Sequence, residues 1–165
     1  MRAVPVVFAL AVVVVAIHLA AGCTVARPFR GPGFRPGTGV VADDAGDTVV
    51  VQLTHAVLDP DLRRPFDEHT ELVNDAMTAH EGLIGYSLRK QLFGDEVWTL
   101  SVWRDEAALS DFVRSDVYRA AMESGAPAVV SMRSRKLDVP REDIPLSWKR
   151  AVELLDEAEA GYGAE

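Results

Sequence analysis

His55 is the residue whose surroundings point most directly to chemistry. It stands in Val49-Val-Val-Gln-Leu-Thr-His-Ala-Val57, where an imidazole can act as a general base in a pocket or rest as a hydrogen-bonded core group. His69 and His80 are about three helical turns apart, too far for the i, i+4 pair that binds zinc, and read as packing or surface residues. Trp98 and Trp103 have an odd separation on one strand, so their rings point to opposite faces, and Trp103, beside the following helix, is the better pocket residue. Arg133, Arg135 and Lys136 can attract an anionic ligand or guard a sheet edge against aggregation. Cys23 is the single cysteine, which excludes an intrachain disulfide and any zinc or iron–sulfur site built from cysteines. No metal site is expected. A net charge of −8 argues against nucleic acid as a partner, because backbone binding needs a clustered basic surface.

These residues must be positioned by a small set of elements. Val49 to Val57 predicts a strand. Pro65 then suits a helix start, and Phe66, His69, Val73, Met77 and His80 recur at helical spacing until Gly82. Leu83–Phe93 and Glu96–Trp103 predict a hairpin around Gly94-Asp95. Asp105 caps a helix presenting Leu109, Phe112 and Val113, and Ser115-Asp116 restarts it through Tyr118 and Met122 to Gly125. A fourth strand runs from Ala128 to Val139. The order βαββαβ predicts an α+β, ferredoxin-like domain over residues 48–139, with a four-stranded antiparallel sheet and both helices on one face. Residues 140–165 predict a C-terminal helical tail with Leu146, Trp148, Val152 and Leu155 near one side.

Residues 1–23 read as a signal peptide or membrane anchor, since Val4 to Gly22 carries no charge and is built of Val, Ala, Leu, Ile and Phe. Leu19-Ala-Ala-Gly-Cys23 resembles the bacterial lipoprotein signal, which implies lipidation of Cys23 and a domain at the cell membrane on its extracytoplasmic face. Arg27, Arg30 and Arg35 after the segment, against Arg2 before it, leave open an uncleaved span with a cytoplasmic domain. Residues 24–47, rich in Pro and Gly, predict a flexible tether. The sheet face that the two helices cannot reach still carries Val and Leu, so a homodimer through that face is expected.

The stretch from Trp98 through Trp103-Arg-Asp-Glu-Ala-Ala-Leu-Ser-Asp-Phe112 to Met122 resembles the third strand and second helix of the antibiotic-biosynthesis-monooxygenase-like family. Gly82-Leu-Ile-Gly-Tyr-Ser87 is similar to that family's second strand, and the element order agrees from Thr48 to Val139. The resemblance implies a dimeric α+β barrel. It also implies a small-molecule ligand of the aromatic or quinol type, oxidised by O₂ without metal, flavin or other cofactor. His55 and Trp103 are the expected catalytic residues, with Tyr86, Phe112, Tyr118, Met122 and Arg133 around the substrate. The haem-degrading branch is not matched: at its Asn, Trp and haem-ligating His this chain has Thr54 or His55, Phe112 and Met122. The alternative is a non-catalytic dimeric binding or structural module of the same fold. Convergence of His55, Trp103 and Tyr118 on one cavity favours the enzyme; a purely aliphatic cavity favours the module.

Overall fold

β-Branched residues in alternation place a long strand at the centre of the molecule, and everything else is arranged about its two faces. The computed structural model describes residues 23–162. In chain order the elements are β1 (Thr24–Ala26), β2 (Phe34–Arg35), β3 (Gly39–Val40), β4 (Thr48–Leu58), α1 (Arg63–Thr78), β5 (Leu83–Gln91), β6 (Glu96–Trp103), α2 (Glu106–Arg114), α3 (Asp116–Gly125), β7 (Val129–Pro140) and α4 (Trp148–Tyr162). The main sheet has the order β1-β5-β6-β4-β7 with every pair antiparallel, and β2 and β3 form a separate small hairpin. The expected βαββαβ core is thus present, with a fifth strand added at its edge.

Local chemistry fixes the helix starts. The Asp105 carboxylate accepts from the Ala108 amide at 2.8 Å, which also holds that carboxyl below its usual range, and Ser115 Oγ accepts from the Tyr118 amide at 3.3 Å. Gly82, at φ +92°, provides the left-handed turn that leads from α1 into β5.

Each face of the sheet has its own core. On one side Val50, Leu83, Tyr86 and Trp103 pack with Met77 of α1 and Ala108, Leu109 and Phe112 of α2. On the other, Val49, Val51, Leu53, Ile84, Trp98, Leu100 and Val102 pack with Ala151, Leu154 and Leu155 of α4.

Two expectations change here. Residues 24–47 are not a detached tether: β1 pairs with β5, and the chain continues along that edge through Arg30 N to Tyr86 O at 3.0 Å and Gly33 N to Ile84 O at 3.0 Å. Phe29, Phe34, Val40 and Ala42 pack on the second core, and a Cβ at Gly31 would lie 2.3 Å from the Gly85 Cα. The glycines and prolines therefore serve close approach and bending, and the two phenylalanines supply the apolar grip. The second difference follows. The face expected to need another protomer is covered by this segment and α4, so the reason for a sheet-face dimer is met within the chain. Ser87 ties both covers to the sheet, donating to the Arg27 carbonyl at 2.6 Å and accepting from Trp148 Nε1 at 3.0 Å.

Among the described residues no helix is long and apolar enough to cross a membrane. Residues 1–22, on which the anchor expectation falls, lie outside them.

Candidate active site on the helix face

Trp103 ends β6 with its ring fully buried, and its indole donates to Ser101 Oγ at 3.0 Å. Phe112, on the buried side of α2, lies 5.0 Å from it between ring centroids with a 30° tilt. Tyr118 of α3 meets Phe112 edge-on at 5.2 Å, and burial pushes its phenol above the usual value of 10.0, so it stays a hydroxyl donor at neutral pH. His80, just past the end of α1, meets Trp103 at 5.6 Å and Phe112 at 5.7 Å, edge to face. Its Nδ1 donates to the Glu81 carbonyl at 2.7 Å. A carbonyl only accepts, so Nδ1 carries a proton and, in the neutral imidazole, the lone pair is on Nε2. The histidine read as a packing residue therefore lies against two aromatic rings, Trp103 and Phe112, with Nε2 not engaged by that carbonyl. On α1, one turn before Met77, Asn74 is buried with 4% exposure, and among the described residues its Nδ2 has no hydrogen-bond partner.

His55 belongs to the opposite face. It pairs in register with Trp98 and Arg133, and its ring stacks on Trp98 at 4.7 Å and 9°. Arg89 lies over the other side of that indole, 5.0 Å from its centroid. Arg133 Nε donates to His55 Nδ1 at 3.1 Å, which places the imidazole proton on Nε2, 2.7 Å from Glu96 Oε2. Gln91 secures the other Glu96 oxygen at 2.8 Å, and Arg133 also reaches Asp156 of α4 at 2.9 Å. The lone pair of His55 is already engaged, so this imidazole is a structural link between β4, β6 and β7.

The expected pair of His55 and Trp103 is thus divided by the sheet: β4 alternates, and His55 shares parity with Leu53 while Trp103 lies with Val50. Arg133 goes with His55, away from Tyr118, and Arg135 and Lys136 bind Glu157 and Glu106 within the chain. Tyr86 is on the helix face with Trp103, but its hydroxyl accepts from Arg30 Nη2 at 3.1 Å. Met122 is 37% exposed on α3 and does not join the cluster. Phe112, Tyr118 and Trp103 do come together, with His80 as the member sequence reasoning misplaced. The signal was present: His80 continues the Val73–Met77 face, and Gly82 sends the chain into Leu83, the register partner of Trp103. Among the described residues no group of three His, Cys, Asp or Glu side chains is placed to hold a metal ion.

The family model of antibiotic biosynthesis monooxygenases matches residues 48–124, the span that contains every ring of this cluster. This stretch is a domain of that family. Solved structures agree at the level of fold. A conserved protein of Methanosarcina mazei Go1 is 16% identical with a TM-score of 0.51, over 58% of this chain and 94% of its own. Rv0793 of Mycobacterium tuberculosis is 18% identical with a TM-score of 0.51, over 54% and 92%. A Nitrosomonas europaea protein bearing the family's name is 10% identical with a TM-score of 0.51, over 58% and 90%. No curated protein matches the sequence.

Proposed function

We propose that the monooxygenase domain oxidises a small electron-rich aromatic molecule of the quinol type with O₂, drawing the electrons from the substrate itself without metal or flavin. The observation that carries this reading is the Nε2 lone pair of His80 at the edge of the Trp103–Phe112–Tyr118 cluster. Nε2 takes a proton from the phenol or an activated ring methylene, leaving an anion rich enough in electrons to reduce O₂. The rings of Phe112 and Tyr118 offer it a stacking surface, and the Tyr118 hydroxyl is a donor for its oxygens. The methylene carbon becomes a carbonyl: CH₂ and O₂ give C=O and H₂O, one oxygen atom going to each product. Trp103 and Phe112 are nearly or fully buried, so a substrate comes in past the partly exposed His80 and Tyr118.

The same reading keeps the protein at the cell membrane on its extracytoplasmic side, held by the uncharged Val4 to Gly22 segment or by lipid on Cys23; the sequence supports this. Palmitate labelling of the wild type and of Cys23→Ala, with membrane fractionation, separates the two modes of attachment.

O₂ consumption over a panel of quinols and activated phenols, with isotopically labelled O₂ traced into the product, tests the chemistry. Turnover with one labelled oxygen per carbonyl is expected. The complete burial of Trp103 favours a second reading, a non-catalytic small-molecule-binding or structural module. Saturable binding of the same panel with no O₂ uptake would establish that reading instead.

A further inference from the structure

The β5–β6 hairpin exposes its apolar residues where a polar turn is the rule. Phe93 is 72% and Leu92 51% exposed at its tip, and Val25 of the adjoining edge strand is 47% exposed. The tip is held firmly. Leu58 N donates to the Asp95 carbonyl at 2.9 Å, and the Arg63 guanidinium caps the Gly94 carbonyl and reaches the Gln91 carbonyl at 3.2 Å. The charges nearby face one another: Arg63 lies 3.8 Å from Asp95, and Lys90 lies 3.6 Å from Asp67. Val130, 69% exposed, and Met132, 53% exposed, stand at the same end of the sheet at the start of β7.

What meets this end is indicated by where the chain arrives. Leu92 N donates to the Cys23 carbonyl at 2.9 Å, and Thr24 and Val25 pair with Gln91 and Lys90. The uncharged Val4 to Gly22 sequence therefore joins the domain directly beside Leu92 and Phe93. From these juxtaposed features we infer that the Leu92–Phe93 tip, with Val25, is a lipid-contacting surface that docks the domain end-on against the bilayer holding its N-terminal segment. An aromatic and a leucine on a rigid turn beside the attachment point enter the headgroup region without ordering a new segment. This inference rests on the membrane attachment proposed above.

Full-length protein reconstituted into phosphatidylcholine–phosphatidylglycerol vesicles tests both, and separately. Phe93→Trp adds an indole at the tip, and Glu142→Trp adds one at an exposed site at the far end of β4, next to the Asp47 backbone that accepts from Arg141. With lipids brominated near the headgroup, the emission added by F93W should be quenched at least twofold, and that added by E142W should not change. If the protein floats with the vesicles but the two variants are quenched equally, the docking surface is overturned and the attachment stands. If the full chain stays in the aqueous fraction, both are overturned. Unchanged thermal melts of the two variants show that the comparison is between folded proteins.

Discussion

On the helix side of the sheet His80 gives one nitrogen to the Glu81 carbonyl and keeps the other beside Trp103 and Phe112; on the opposite side His55 commits both nitrogens, to Glu96 and Arg133. The two faces differ in origin as well. Strands β4 to β7 and the whole helix layer fall within or next to the matched residues 48–124, whereas the edge strand β1 and the opposite cover come from residues 24–47 and α4, which flank that span. The family domain holds the candidate chemistry, and its flanks cover the second hydrophobic core. A histidine on an aliphatic strand and a histidine at a helix end thus have opposite fates, decided by which partners reach their nitrogens.

The largest effect should come from removing the second cover. A chain stopped after Leu146 loses Ala151, Leu154 and Leu155 and bares Val49, Val51 and Leu53, at about 1.5–3 kcal/mol for each large side chain. The sum rivals a typical domain stability of roughly 5–15 kcal/mol, so the truncated chain should unfold or self-associate through the bared face. Circular dichroism and sedimentation velocity check this; a folded monomer would break the claim that α4 is structural cover.

Trp103→Ala should cost about 3–5 kcal/mol, because it empties a fully buried site between β6 and α2. Denaturant midpoints give the value, and a loss under 1 kcal/mol would mean the helix face is loosely packed. His55→Gln should cost about 1–2 kcal/mol by leaving Glu96 and Arg133 imperfectly paired, with turnover preserved. The smallest effect concerns alkaline pH. Burial raises the Tyr118 phenol, so its contribution to stability is complete below the unfolded value of 10.0 and is lost as pH rises through the higher folded value. Melting temperatures should fall above about pH 10, and Tyr118→Phe should flatten that fall.

The order of strands and helices was legible because each boundary had its own chemistry: Asp105 and Ser115 at helix starts, Gly82 and Gly94 at turns. The division of Trp98 from Trp103 followed from strand parity alone. The same parity places His55 with Leu53, away from Trp103's partner Val50, and applying it would have separated the expected pair. What the sequence concealed was long-range. Pro and Gly in residues 24–47 read as tether because periodicity carries no sign of a chain that follows an edge strand and inserts Phe29 and Phe34. His80 was legible in part, since it continues the Val73–Met77 face, but the rings it meets lie 23 and 32 positions later in the chain.

The most direct test of the account is a paired measurement of O₂-dependent turnover in His80→Gln and His55→Gln, each beside its thermal melt. The account predicts that His80→Gln loses at least tenfold in kcat with little change in melting temperature, while His55→Gln melts earlier and turns over like the wild type. Loss of turnover in His55→Gln with His80→Gln fully active would contradict it.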